Sequence, residues 1–327
     1  MFVMPNHAVG GAGKLYTSKT MWAPAYKQRF RDQALITRLT NGDWKGQFKG
    51  TGTEYKVPCL PIISTRKRRK GETVKYQTPQ NWEEAFILNR ERDFAFKVTD
   101  EDRLFSYLGV DEPFVAEGLR QMSEDVDVEF FADVYTKCHF RNQGNAAGYR
   151  SGGYRLGDVL DPLYVYESRE DLVADTTAGR KKALPGKAIV NMMSALREQP
   201  GGMDTKPFVV IPMVVGDKLQ NSPLARADWM GDQVSVMRKS IQYLGEIGGG
   251  TVWCCNHLPI LRGEGALPDR YVCLFGDPSA VTFADEVRIG ETLRDKDEYG
   301  NFHRNLMIYD WFVRYPERLG SAVLAVA

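Results

Sequence analysis

Histidine, cysteine and net charge are all scarce in this chain. Of 327 residues, 4 are histidine and 5 cysteine, and 43 Lys and Arg stand against 42 Asp and Glu, a net charge of +1. Near-neutrality excludes a surface given over as a whole to a polyanion, which needs a strong basic excess, and leaves a local patch open. An odd cysteine count with two adjacent, Cys254 and Cys255, is no disulfide framework and points to synthesis in a reducing cytoplasm. Long apolar runs are absent too. The longest, Phe208 to Gly216, contains a proline and falls far short of the roughly 20 residues of a spanning helix, so no membrane is expected. The opening MFVMPNHAVGGAGK lacks a basic start followed by an apolar stretch, so no export signal is expected. No internal repeat is visible.

Marks of catalysis are missing as well. GGAGKL at 10–15 has Ala8 where a phosphate loop needs glycine and Leu15 where it needs Ser or Thr, and a flexible arm explains it better. GTG at 50–52 has Tyr55 where a dinucleotide loop would place its third glycine. Cys254, Cys255 and His257, with Cys138 and His139 elsewhere, are the one metal candidate. Neighbours on a strand point to opposite faces, so the two adjacent thiols do not share an ion, and buried apolar cysteines are the better reading. With no G-x-S-x-G or H-E-x-x-H motif either, no catalytic residue, cofactor or metal is assigned.

What is present is a globular composition, 43% hydrophobic and 26% charged, with 6 Trp, 15 Tyr and 16 Phe that need a core. The length fits one large domain or two modest ones. Residues 1–24 read as an extended arm and 27–40 as a short helix ending at Asn41-Gly42. From Gly50 to Val98 the signal is strand: TEYKVPCLPI, ETVKYQT and EAFILNRERDFAFKVT, the last with Phe94, Phe96 and Val98 at period two. Between the outgoing and returning strands lie five consecutive cations, Arg66, Lys67, Arg68, Arg69 and Lys70, closed by Gly71. A long hairpin with a basic tip follows.

Asp111 then reads as an N-cap, with Glu112 and Pro113 in the first turn. Val115, Leu119, Met122, Val126, Phe130 and Val134 recur at spacings of three and four, the apolar face of a helix of about 24 residues. Its other face is acidic: Glu117, Glu124, Asp125, Asp127, Glu129 and Asp133 against a lone Arg120. Residues 138–184, rich in Gly, Asn and Asp, read as irregular with short strands at most. A second helix is expected over 186–198, a buried strand at PFVVIPMVV, a third helix over 234–244, and strands at TVWCCNHLP and in the closing RNLMIYDWFVRYPERLGSAVLAV. The class is α+β. The basic run admits three readings: a solvated tip, a nucleic-acid patch with only Tyr76 and Trp82 near enough to stack, or a cationic contact for the acidic helix of a neighbouring copy.

The order of these elements resembles the HK97-like major capsid proteins of tailed double-stranded DNA bacteriophages. ILNRERDFAFKVTDEDRLFS is similar to their returning hairpin strand leading to the spine helix, and QYLGEIGGGTVWCCNHLP to their G-x-I-x-G-hydrophobic segment ending N-x-L-P. GDPSAVTFADE resembles a helix start before their closing strand, and YDWFVRYPERLG that strand itself. Together these cover residues 45–320 in the right order. The resemblance implies an N-terminal arm (1–43), an E-loop hairpin (44–98), a peripheral domain (99–184 and 291–327, spine helix 112–137) and an axial domain (185–290).

It also implies a non-enzymatic subunit that self-assembles into pentamers and hexamers of an icosahedral shell around double-stranded DNA, without sequence specificity. Scaffolding, portal and decoration proteins are the implied partners, with assembly in the host bacterial cytoplasm and the virion capsid as destination. Some relatives crosslink through an E-loop lysine; Lys67 and Lys70 lie in that region, but no partner motif accompanies them and no crosslink is expected. The inter-subunit contact expected is the tip 66–70 of one copy with Glu117, Glu124, Asp125, Asp127, Glu129 and Asp133 of its neighbour. The alternative is an α+β enzyme or nucleic-acid-binding protein using the 66–70 loop.

Overall fold

A computed structural model describes residues 34–42, 54–59, 63, 65–74, 76–78, 82–105, 111–199, 206–221, 243–263, 268–295 and 298–326. Residues 1–33 of the proposed arm 1–43, with the glycine-rich loop, and most of the helix expected over 234–244 lie outside them. The end of that segment, Tyr243–Ile247, is a strand.

The hairpin is formed by β1 (Glu54–Cys59) and β2 (Trp82–Ile87), antiparallel with Glu54 opposite Ile87 and Cys59 opposite Trp82. The expected strand at 72–78 is not one: none of its described residues belongs to a strand. β3 (Arg90–Thr99) continues from β2 into a second, three-stranded antiparallel sheet in the order β11 (Val281–Arg294), β12 (Gly300–Val313), β3. Ser279 to Ala284 therefore enters a strand after one 3-10 turn, not the helix start suggested by GDPSAVTFADE. β-branched Val281, Thr282 and Val287 favour the extended form there.

The third sheet is mixed, in the order β5 (Lys181–Ala183), β4 (Leu163–Val165), β13 (Leu319–Val326), β10 (Arg270–Gly276), β6 (Phe208–Ile211), β8 (Gly250–Cys254), β7 (Tyr243–Ile247), with β9 (Ile260–Leu261) also paired to β10. Both of its faces are covered. Val209 and Ile211 join the core under α5 (Pro185–Arg197) and α6 (Met213–Asn221), while Phe208 and Val210 join the other core. That alternation explains the continuous apolar sequence of β6, since a strand buried on both sides has no polar phase. Pro212 stops this strand, and the remainder of PFVVIPMVV turns into α6 instead of continuing it. The same period separates the adjacent thiols: Cys254 lies in one core and Cys255 in the other.

The second core is built on α3 (Asp111–Val134), extended by a 3-10 turn to Lys137. Met122, Val126, Phe130 and Val134 are buried, as the spacing predicts, whereas Leu119 is 40% exposed. Phe130 meets Trp311 edge-on at 5.6 Å between ring centroids. Two further short helices are α2 (Asp100–Phe105), where no helix is expected from sequence, and α4 (Arg169–Ala174) within the irregular stretch. α1 (Ile36–Leu39) is all that the described residues hold of the helix expected over 27–40. The glycine-rich stretch is anchored at Gly157, whose φ is +84° and whose missing Cβ would stand 2.2 Å from the Val323 carbonyl oxygen. Gly157→Ala should cost about 2–5 kcal/mol in chemical denaturation, through strain and clash together; an unchanged midpoint would refute this packing.

Candidate functional site

The acidic helix and the basic tip meet quite different surroundings. β3 runs alongside α3 and turns Arg90 and Arg92 toward it. Arg90 pairs with Glu129, Asp133 (3.5 Å) and Asp310 (3.2 Å), and its guanidinium lies 3.9 Å from the centroid of the Trp311 ring. Arg92 reaches Asp125 at 3.3 Å and Glu129 at 3.5 Å. The Tyr309 hydroxyl donates to Glu129 at 2.8 Å and the Trp311 indole N–H to Asp133 at 2.6 Å. Burial alone would raise the pKa of Glu129, but the Tyr309 hydroxyl and Arg90 outweigh it and hold the carboxyl below its ordinary value. Burial is likewise outweighed at Asp133, by Lys137 and Trp311. Burial pushes the Tyr309 phenol up to about 12, so it remains a donor. Glu117 and Glu124 are both held by Arg120 within the helix.

Asp127 faces inward. It is 1% exposed, and its two carboxylate oxygens accept the backbone N–H groups of Leu35 at 2.7 Å and Ile36 at 3.0 Å, at the start of α1. His257 Nδ1, on the loop after β8, lies 3.8 Å from the same carboxylate. One side chain thus clasps three segments distant in sequence. Asp127, with Cys255 second, raises the His257 pKa from 6.5 to about 10, so the imidazolium is present at neutral pH. Because the folded value lies above the unfolded one, this stabilisation is complete below about pH 6.5 and is lost as pH climbs through about 10. Wild type should therefore lose on the order of 2 kcal/mol more than His257→Gln between pH 8 and 11 in urea unfolding. Parallel pH profiles would refute the ion pair.

The five cations of the tip have no such partners. Residues 65–74 are exposed. Arg66 donates to the Thr73 carbonyl at 2.9 Å and Arg68 to the Glu72 carbonyl at 2.8 Å, which leaves their charges unneutralised. The Glu72 side chain accepts the backbone N–H of Arg69 at 3.1 Å and so shapes the turn. Among the described residues, none of Arg66, Lys67, Arg68, Arg69 and Lys70 forms an ion pair.

The structure therefore does not bring the tip and the acidic helix together within one chain, and it corrects the list of carboxylates on offer. Asp127 is unavailable to any neighbour because it is buried and doubly hydrogen-bonded. Glu124, Glu129 and Asp133 are part-buried in intrachain ion pairs, while Glu117 and Asp125 are more than half exposed. Arg90, Arg92 and Trp311 escape a sequence reading that treats the helix alone. The signal is Arg-x-Arg at period two on a strand, with carboxylates four apart, Asp125, Glu129 and Asp133, on a later helix. Cys138 and Cys254 have thiol pKa values pushed up to about 12 by burial, which makes them unreactive. No metal-ligating cluster occurs among the described residues, and none of their helices is long and apolar enough to cross a membrane.

No protein-family model matches the sequence and no curated protein matches it. Solved structures do. The chain is similar to one from Mycobacterium phage Che8, with 17% identity, a TM-score of 0.60, and 98% of each chain covered. It is similar to one from the capsid of Ralstonia phage GP4, with 12% identity, a TM-score of 0.60, and 100% of this chain and 97% of that one covered. A third, from the capsid of the cyanophage P-SCSP1u, has 15% identity, a TM-score of 0.58 and coverages of 97% and 93%. At such identities the likeness is one of fold, and it runs end to end: this chain has the α+β, HK97-like capsid fold.

Proposed function

We propose that the chain is a structural subunit, the major capsid protein of a tailed-phage-type particle, which self-assembles as pentamers and hexamers into an icosahedral shell around double-stranded DNA. The observation that carries this reading is the end-to-end overlap with capsid chains, 100% of this chain on 97% of the GP4 subunit. A shared insert or single domain would not produce it. Residues 1–43 then serve as the arm, 44–98 as the E-loop, 99–184 with 291–327 as the peripheral domain around the spine helix, and 185–290 as the axial domain. Near-neutral charge suits a wall that encloses DNA without gripping it, since each neutralised phosphate adds affinity. Scaffolding, portal and decoration proteins would be its partners, host cytoplasm its place of assembly, and the virion its destination.

The unpaired tip 66–70 is the feature of the hairpin that needs a neighbour. We assign it to the exposed carboxylates Glu117 and Asp125 on the spine helix of an adjacent copy, where opposite charges guide encounter and register. Sedimentation velocity of the expressed full-length chain, alone and with its phage's co-expressed head proteins, tests the reading. Capsomer-sized rings or particles support it; a small closed oligomer that never grows under either condition overturns it.

A further inference from the structure

We infer that the loop cluster 139–161 is a second inter-copy contact, shaped for a carboxylate-bearing surface of another copy of this chain; this rests on the shell-subunit reading above. Within 139–161 the cations are Arg141, Arg150 and Arg155, all exposed and none ion-paired among the described residues; of its two acids Asp161 is paired with Lys181 and Asp158 accepts from Asn145. Arg141 lies between two rings, 5.4 Å from the centroid of Phe140 and 4.6 Å from that of Tyr149, with one N–H on the Tyr149 carbonyl at 3.2 Å. Around these cations stand bare apolar groups: Phe140 is 71% exposed and Leu160 84%.

The cluster is built, not loose. Glu198 accepts the Tyr154 hydroxyl at 2.6 Å and the backbone N–H groups of Ser151 and Arg150 at 3.0 Å each, and these donors hold its carboxyl down to about 2. The Asn145 side chain donates to Asp158 at 2.9 Å and accepts Gly157 N–H at 3.2 Å, while Arg270 donates to the Val159 carbonyl. Arg155 sits at φ +50°, a left-handed conformation unusual for a side-chain-bearing residue. Exposed Arg, Tyr and Phe on a fixed scaffold match the residues enriched at protein–protein interfaces. Duplex phosphates would call for cations without the bare Phe140 and Leu160.

Charge complementarity points to a second copy as the occupant. Cations and acids nearly balance over the chain, so the surplus of this loop is matched elsewhere. The outward face of β3 carries Glu91 and Asp93, both exposed and neither ion-paired among the described residues. They stand opposite Ile308 and Leu306 of β12, both only partly buried, so the acids border an apolar strip. Loop and strand face are different surfaces, so their contact is head-to-tail, the kind that closes into rings.

The test follows ring and particle formation by sedimentation of the full-length chain. Arg141→Ala/Arg150→Ala/Arg155→Ala and, separately, Leu160→Asp should keep the wild-type circular dichroism and lower ring yield about tenfold or more. Arg150→Glu/Arg155→Glu should fail likewise and recover when Glu91→Arg/Asp93→Arg is added. Should any of these misfold, Arg150→Cys/Asp93→Cys replaces them and should give disulfide-linked ladders under oxidation. Wild-type yields from the loop variants, no recovery in the charge swap, or no ladders would overturn the contact. So would loop variants that assemble normally but lose affinity for a short DNA duplex, which would make the loop a phosphate site. Failure of the wild type itself to assemble would instead overturn the shell reading.

Discussion

Asp127→Ala should lower the unfolding free energy by about 3–5 kcal/mol, the largest single effect expected of any charged residue here. The substitution strips acceptors from two buried backbone N–H groups, those of Leu35 and Ile36, and leaves the His257 imidazolium without its counter-charge. Each loss alone costs 1 kcal/mol or more by order of magnitude. Leu35, Ile36 and Leu39 are at most 1% exposed, so their undocking would also open the second core. Asp127→Asn retains one acceptor and should fall between alanine and wild type. Urea unfolding at pH 7 orders the three; an alanine variant within 1 kcal/mol of wild type would mean that the clasp contributes little.

Reversing the tip with Arg66→Glu, Arg68→Glu and Arg69→Glu should abolish particles while the subunit still folds. Fold and tip separate cleanly, because the Arg66 and Arg68 side chains donate to the Thr73 and Glu72 carbonyls of their own turn and all three arginines are exposed. Negative charge would then face the exposed carboxylates of the neighbour's spine helix, a repulsive contact repeated at every copy. Particle yield should drop by about tenfold or more, with an unchanged unfolding midpoint. Yields equal to wild type would make the tip a solvated loop. Normal particles combined with lost DNA binding by the free subunit would return the cations to the nucleic-acid reading.

Much of the architecture is legible from residue patterns because it depends on local periodicity. The spine helix is expected over 112–137 and found over 111–134 plus one 3-10 turn, since its apolar residues keep helical spacing without interruption. The hairpin and its tip are equally plain, as five cations followed by glycine have no place in a core. Where the reading fails, tertiary context decides. Asp127 lies one position after Val126 and reads as part of the acidic face, yet it shares the buried side with Phe130 and Phe131 at spacings of three and four. Nothing local tells that the main chain at Leu35 will supply its hydrogen bonds from 92 residues away. Pro212 could end a strand or interrupt it, and only packing beneath the mixed sheet shows that a helix follows. The acidic face reads as surface from the helix alone because the arginines that neutralise it arrive from another element.

Electron cryomicroscopy of assembled wild-type protein is the most direct measurement of what this chain does. A closed shell should appear, with pentamers and hexamers of one subunit type and each 66–70 tip lying over an adjacent subunit. A small ring or compact oligomer as the sole assembly, with every hairpin folded back on its own chain, would contradict it.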